Sequence, residues 1–260
     1  MFKAELLQEI RDRFHHVNHC PYQGSRVFFE NAGGSLTLKS VVEVSAHFAS
    51  IPDNQGRDNP ASRELVRIIN KAREDMMTFF GVSEGVVFTG ESGTELLFRL
   101  VRAAIFGSAE GGNVIGSTLE HPATASARSQ WSPIAGKENI SIAHDKDQAM
   151  VTAEHYLEHV TAETRVATII QTSPVVGMAV DVKQIAEAIR SKSPDCFIIV
   201  DSIQHAAHGV MDIGAIGVDG CAVSGYKVFS RHNYGVAWAS PRLSTLRHEK
   251  LDGTADNFWE

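Results

Sequence analysis

The chain has 260 residues, of which 43% are hydrophobic, and a formal net charge of −7 from 24 basic and 31 acidic residues. This length and apolar content predict a folded protein with a large core rather than a disordered segment. The chain is negatively charged and has no lysine- or arginine-rich run, so we do not expect a nucleic-acid-binding protein.

Short β-branched runs alternate with helical patterns along the chain, which is typical of βαβ units around a mainly parallel sheet. The periodicity predicts helices near residues 3–14, 36–49, 61–80, 123–131 and 152–160, over the apolar positions between Leu96 and Ile105, and over DVKQIAEAIRSK. The predicted strands are VVFT, NVIGST, NISIAH, RVATIIQTS, CFIIVDS, GCAVSG and GVAWAS. The fold class expected from this order is α/β.

The apolar runs also bear on location. The longest of them, such as CFIIV and VATII, are far too short to span a membrane, and the charged start MFKAELLQEIRDRF is not a signal peptide. We therefore expect a cytoplasmic protein without a membrane partner. Its three cysteines are too few and too scattered for a disulfide framework or a zinc ribbon.

Polar or reactive residues follow four of the predicted strands. An open parallel sheet binds its ligands at the carboxyl ends of its strands, so GESGT, EHP, DSIQH and SGYK are expected to meet there. In GESGT, free N–H groups at a helix start bind phosphate, and Ser92 and Thr94 add hydroxyl donors. Read alone, the same turn is also an ordinary helix N-cap.

Asp201 and Lys227 are the charged residues of this set. Asp201 ends a strand that reads as buried, so a metal, a lysine or a protonated cofactor nitrogen should face it, unless it simply caps the next helix. A partly desolvated lysine at a strand end has a lowered pKa and is a nucleophile toward carbonyls, whereas most lone lysines are surface residues. Together, a phosphate-binding turn, an aspartate and a lysine predict a pyridoxal 5′-phosphate site.

Four segments resemble the class V aminotransferase family of fold-type I pyridoxal-phosphate enzymes, and within it the cysteine-desulfurase-like group. They are FFENAGGSL, LEHPATASA, VDSIQHAAHG and SGYK, and the match runs in order from about residue 27 to the end. The resemblance implies the fold-type I large domain, a three-layer sandwich with a mainly parallel central sheet. It also implies a homodimer acting on a small amino-acid substrate.

The resemblance further implies roles for individual residues. Lys227 would be the Schiff-base lysine, Asp201 the partner of the pyridinium nitrogen, and His121 the residue stacked on the ring. Gln204 would hydrogen-bond the phenolic oxygen. The phosphate would be held by Thr94, the backbone around Gly93, Ser224 and Tyr226.

Two positions depart from the family pattern. Tyr226 stands where many relatives have a histidine, and a phenol can donate a hydrogen bond to phosphate but cannot become a cation. Pro174 stands where relatives often have an asparagine, so one cofactor contact must differ or come from Thr172 or Ser173.

The expected domains are an N-terminal helical segment (1–25), a cofactor-binding large domain (26–245), and the start of a connection (246–260) to a small C-terminal domain that the chain lacks. The family's substrate-carboxylate arginine and persulfide-forming cysteine come from that part, and none of the three cysteines here matches the latter. Cys196 and Cys221 fall in apolar runs, which predicts buried, inert thiols.

Three functions remain open from the sequence. The first is a cysteine-desulfurase-like or other carbon–sulfur lyase with Lys227 as the proton shuttle, and the second is a class V aminotransferase. The third is a cofactor-binding fragment without full activity. A metal site at His15, His16, His19 and Cys20 is not predicted, because the cluster lacks a clear second pair of ligands.

Overall fold

The computed structural model describes residues 3–52 and 56–246. The strands in chain order are β1 (His19–Cys20), β2 (Gly24–Ser25), β3 (Val86–Gly90), β4 (Asn113–Ser117), β5 (Glu138–Ile142), β6 (Thr164–Ile170), β7 (Phe197–Asp201), β8 (Gly220–Ser224) and β9 (Gly235–Ala239). The helices are α1 (Ala4–Asp12), α2 (Lys39–Ala49), α3 (Pro60–Phe80), α4 (Gly93–Gly107), α5 (Pro122–Ile134), α6 (Ala153–Leu157), α7 (Val182–Lys192), α8 (Ile213–Ile216) and α9 (Pro241–Ser244). Short 3₁₀ turns follow β7 at His205–Ala207 and β8 at Gly225–Lys227.

A seven-stranded sheet in the order β3-β9-β8-β7-β6-β4-β5 forms the centre of the fold. Strand β9 is antiparallel to both of its neighbours, β3 and β8, and the other pairs are parallel. Six strands therefore run in one direction, and their carboxyl ends share one edge. All seven predicted strands lie in this sheet, so the predicted mainly parallel α/β fold is confirmed.

Helices cover both faces of the sheet, and the side chains of β7 show how. Ile198 and Val200 belong to one buried apolar cluster with residues of α3 and α7, whereas Phe197 and Ile199 belong to a second cluster with residues of α4 and α5. Successive strand residues point to opposite faces, so a strand buried on both sides is apolar throughout. This arrangement is the predicted three-layer sandwich.

Two helices near the site, α4 and α5, begin at residues that favour a helix N-terminus. Helix α4 begins after Ser92, whose hydroxyl accepts a hydrogen bond from the Glu95 N–H at 3.1 Å. Helix α5 begins after His121, with Pro122 at its first position, where a missing N–H is tolerated. Both helix starts therefore lie at the carboxyl edge of the sheet, directly after β3 and β4.

Some local predictions differ from the structure. The small antiparallel pair β1–β2 was not predicted, because two-residue strands leave no alternating pattern. Helix α6 ends at Leu157 rather than near residue 160. The predicted connection over 246–260 lies outside the described residues from residue 247 onward. Among the described helices, none is both long and apolar enough to cross a membrane.

Candidate active site

A pocket opens at the carboxyl edge of the sheet. Residues from the ends of several strands and from the segment before α2 form its wall: Ala32, Ser92, Thr94, His121, Ile170, Thr172, Pro174, Asp201, Ile203, Gln204, Ser224, Tyr226 and Lys227. Seven of the eight residues predicted for the site are among them. The eighth, Gly93, lies directly behind Ser224.

Lys227 ends the 3₁₀ turn that follows β8 and is only 8% exposed. Its ammonium donates a hydrogen bond to the carbonyl oxygen of Ala32. Burial lowers the pKa of Lys227, and the negative charge of Asp201 partly opposes this effect. A lysine whose neutral form is favoured in this way is suited to act as a base or nucleophile.

Asp201 is the last residue of β7 and is 3% exposed. Its Oδ1 accepts a hydrogen bond from the Ile203 N–H at 3.0 Å, and its Oδ2 accepts one from the Thr124 hydroxyl at 3.3 Å. Burial raises the pKa of Asp201 to about 6, while these two hydrogen bonds and the charge of Lys227 act in the opposite direction. Within the described part of the chain, no basic side chain forms an ion pair with this carboxylate.

The start of α4 and the end of β8 meet in a tight backbone approach. The Gly93 N–H donates to Ser224 Oγ at 3.1 Å, and Ser92 and Thr94 line the pocket on either side. A Cβ atom on Gly93 would lie 2.5 Å from Ser224 Oγ and closer still to Ile203 Cδ1. Only glycine fits here without displacing its neighbours, which leaves helix N–H groups and hydroxyls at the pocket floor.

Gln204 lines the pocket shortly after the end of β7, and His121 lines it at the start of α5. The Gln204 Nε2 is 3.1 Å from His208 Nε2, whereas its Oε1 is buried and has no hydrogen-bond partner. The His121 Nδ1 accepts a hydrogen bond from the Ala123 N–H at 3.1 Å, which orients the ring at the start of α5. Partial burial and the charge of Lys227 lower the pKa of His121, which favours the neutral form of its imidazole.

Tyr226 lines the pocket, and its backbone is hydrogen-bonded to the segment before α2. Its ring stacks on His232, with centroids 4.7 Å apart and an interplanar angle of 11°. Its carbonyl oxygen accepts hydrogen bonds from both the N–H and the hydroxyl of Ser35, each at 2.8 Å. Residues near Ser35 are thereby fixed to the loop that carries Lys227.

Thr172 and Ser173 are the two candidates for the cofactor contact that Pro174 cannot make, and they differ in their position relative to the pocket. Thr172 lines the pocket, and its hydroxyl lies 2.9 Å from His205 Nδ1. Ser173 is buried outside the pocket wall, where its hydroxyl accepts hydrogen bonds from the N–H groups of Val175 and Val176. Of the two, only Thr172 can contact a ligand in the pocket.

No pattern in the sequence predicted Thr124, Ile203 or Ile170 as residues of the site. Thr124 was hidden because a threonine in the first turn of a helix has no distinctive pattern. Its spacing of three residues from His121 would have indicated the same helix face. Ile203 and Ile170 read as ordinary apolar residues. Among the described residues, no group of three or more histidine, cysteine or acidic side chains is arranged to hold a metal ion.

The fold is shared with solved cysteine desulfurases at low sequence identity. The apo cysteine desulfurase of Thermococcus onnurineus matches with a TM-score of 0.79 at 18% identity, over 93% of this chain and 58% of that one. The cysteine desulfurase CsdA of Escherichia coli matches with a TM-score of 0.76 at 18% identity, over 94% of this chain and 59% of that one.

Curated sequences extend the comparison. A probable cysteine desulfurase of Mycoplasma genitalium is 27% identical over 235 residues, which are 86% of this chain and 55% of the relative. The cysteine desulfurase-like protein ustD of Aspergillus flavus is 27% identical over 257 residues, or 91% of this chain and 57% of the relative. The chain thus spans little more than half the length of these relatives. Because residues 27–256 match the family model described as Aminotransferase class-V, the chain belongs to the class V aminotransferase family.

Proposed function

We propose that the pocket binds pyridoxal 5′-phosphate and that Lys227 holds it covalently. The observation that carries this proposal is the convergence of Lys227, Asp201, His121 and Gln204 on one pocket from different strand ends. In the proposed arrangement Asp201 pairs with the protonated ring nitrogen, and His121 lies against the ring. Ser224, Thr94, Tyr226 and the N–H groups around Gly93 hold the phosphate.

Three features of the chain fit this group. The buried carboxylate of Asp201 forms no ion pair with a basic side chain among the described residues, and burying a charge is costly until a close partner is supplied. The unpartnered Oε1 of Gln204 can accept a hydrogen bond from a ligand hydroxyl. The glycine at position 93 lets the start of α4 approach Ser224 closely, which brings helix N–H groups and hydroxyls together as donors for a phosphate.

When bound, pyridoxal phosphate supplies an electron sink for the electron pair left after a proton leaves the α-carbon of an amino acid. The protein supplies the proton transfers and the orientation. Once the amino group of the substrate has displaced Lys227 from the cofactor, the freed lysine amine, whose pKa is lowered by burial, would accept the proton from the α-carbon and return it to the product. The imidazole of His121, whose neutral form is favoured, provides a flat wall for the ring and adds no positive charge beside Lys227.

For the whole protein, we propose a cysteine-desulfurase-like or other carbon–sulfur lyase activity on a small amino acid. The names of the relatives from Mycoplasma genitalium and Aspergillus flavus support this choice. Class V aminotransferase activity is the alternative, since the same pocket residues serve both reactions. The homodimer and the cytoplasmic location remain predictions. Light scattering of the purified chain would test the first.

The cofactor proposal is tested with the purified chain and added pyridoxal phosphate. We expect a yellow chromophore that borohydride fixes to a single peptide containing Lys227. Lys137 is the internal control, because it is also buried, at 6% exposed, and burial also lowers its pKa. Label on the Lys137 peptide, or no chromophore at all, would disprove the assignment.

The reaction is tested by supplying cysteine to the cofactor-loaded protein. Formation of alanine, with sulfide released when dithiothreitol is added as the reductant, supports the desulfurase-like reaction. A new amino acid that appears only when a keto acid is added supports transamination instead. Lys227→Ala serves as the control, since any product formed by this variant would arise without the proposed site.

A further inference from the structure

Thr124 lies beneath the pocket, in the first turn of α5. The residue is fully buried and does not line the pocket itself. Its hydroxyl oxygen is 3.3 Å from Asp201 Oδ2, so α5 contacts the end of β7 through this pair. His121, three residues earlier on the same helix face, does line the pocket.

The other surroundings of Asp201 show why this contact is important. The Ile203 N–H binds Oδ1, and among the described residues Thr124 is the only side chain that hydrogen-bonds to the carboxylate. An ionised carboxylate only accepts hydrogen bonds, so the threonine hydroxyl must donate to it. The titratable groups that interact with Asp201 through charge are Lys227, Glu120 and Cys221, and none of them donates to it.

We infer that Thr124 is a positioning residue: its hydroxyl holds Asp201 ionised and in a fixed orientation toward a protonated nitrogen of the pocket's ligand. The inference rests on the proposed function, in which that nitrogen belongs to pyridoxal phosphate. A hydrogen bond to Oδ2 restricts rotation of the carboxylate and leaves further acceptor positions on Oδ2 for the ligand.

The electrostatics of the site agree with this role. Burial favours the protonated form of Asp201, and the Thr124 hydroxyl is one of the groups that lower its pKa again. Removal of the hydroxyl would raise the pKa of Asp201 further and would increase the protonated fraction at neutral pH. A protonated carboxyl cannot form an ion pair with a protonated ring nitrogen, so ligand affinity would fall.

Three variants separate the hydroxyl from the space it fills. Thr124→Val keeps the shape and removes the hydroxyl, and Thr124→Ser keeps the hydroxyl and removes the methyl group. Thr89→Val makes the same change at an exposed position of β3. For each variant, the pKa of Asp201 is measured in the cofactor-free protein by NMR of ¹³C-labelled aspartate carboxyls. The affinity for pyridoxal phosphate is then measured by absorbance titration.

We expect Thr124→Val to raise the pKa of Asp201 and to weaken cofactor binding roughly tenfold, which corresponds to about 1.4 kcal/mol. Thr124→Ser and Thr89→Val should stay near the wild-type values in both measurements. An unchanged pKa and affinity in Thr124→Val would overturn the inference. Equal losses in Thr124→Ser would also overturn it, because the methyl packing would then be responsible.

Two further provisions keep the test decisive. If circular dichroism shows that Thr124→Val does not fold, Thr124→Cys replaces it. The thiol is a weaker donor than a hydroxyl, so we expect Thr124→Cys to raise the pKa of Asp201 and weaken cofactor binding relative to Thr124→Ser, and equal values in the two variants would overturn the inference. The NMR measurement needs no cofactor. Failure of the wild-type chain to bind pyridoxal phosphate would therefore disprove the proposed function, whereas an unchanged pKa of Asp201 would disprove the role of Thr124.

Discussion

Replacement of Asp201 by asparagine should stabilise the cofactor-free protein, and more so at higher pH. The carboxylate is 3% exposed and forms no ion pair among the described residues, and burial raises its pKa from 3.8 to about 6. A difference of this size corresponds to about 3 kcal/mol of unfolding free energy. Asparagine keeps the shape and can still bind the Ile203 N–H and the Thr124 hydroxyl.

The sign follows from proton binding. A group whose pKa is higher in the folded state favours folding below its unfolded pKa of 3.8, and this contribution is lost as the pH rises through about 6. Asp201→Asn removes that dependence. Its advantage over the wild type should be roughly half complete at pH 5 and nearly complete, at about 3 kcal/mol, at pH 8.

Urea unfolding of the cofactor-free proteins at pH 5 and pH 8 measures both quantities. Asp219→Asn is the matched control, because Asp219 is equally buried but binds Arg190 and Arg242, each at 2.9 Å. This control should lose about 1–3 kcal/mol. The reasoning is refuted if Asp201→Asn is no more stable than the wild type at pH 8, or if its advantage does not change with pH.

Three further changes test other parts of the structure. Arg128→Met leaves a fully buried carboxylate without its partner, so urea unfolding should show a loss of about 3–5 kcal/mol, and a loss below ~1 kcal/mol would contradict the pairing. Gly93→Ala should weaken pyridoxal phosphate binding at least tenfold in an absorbance titration, without changing the circular dichroism spectrum. Iodoacetamide at pH 8 should label Cys20 in the folded protein, whereas burial raises the pKa values of Cys196 and Cys221 to about 12 and should protect them until unfolding.

The sheet could be predicted because each of its strands carries its own signal. The run FIIVD is apolar because β7 is buried on both faces, and a parallel strand of this kind cannot be confused with an exposed loop. The direction of β9 carries no such signal. GVAWA is equally apolar whether it runs parallel or antiparallel, and only its pairing with β3 and β8 fixes the direction.

The residues that line the pocket at strand ends could be predicted for the same reason. Asp201 and Lys227 follow directly after apolar runs, and the topology brings the ends of those runs to one edge. Contacts that cross between elements could not be predicted. Neither the bond from Thr124 to Asp201 nor the bond from Lys227 to Ala32 is visible in the sequence, because each joins segments far apart in the chain.

The separation of Lys227 from Asp201 is itself a property of the local backbone. Strands β7 and β8 are neighbours, and Asp201 pairs in register with Ala222. At about 3.3 Å per residue, a straight continuation of β8 would carry residue 227 roughly 16 Å past Ala222, out of reach of the Asp201 carboxylate. Instead the 3₁₀ turn at Gly225–Lys227 carries the ammonium to the carbonyl oxygen of Ala32. Both side chains therefore line one pocket without forming an ion pair with each other, and each remains available to a ligand that offers a partner to both.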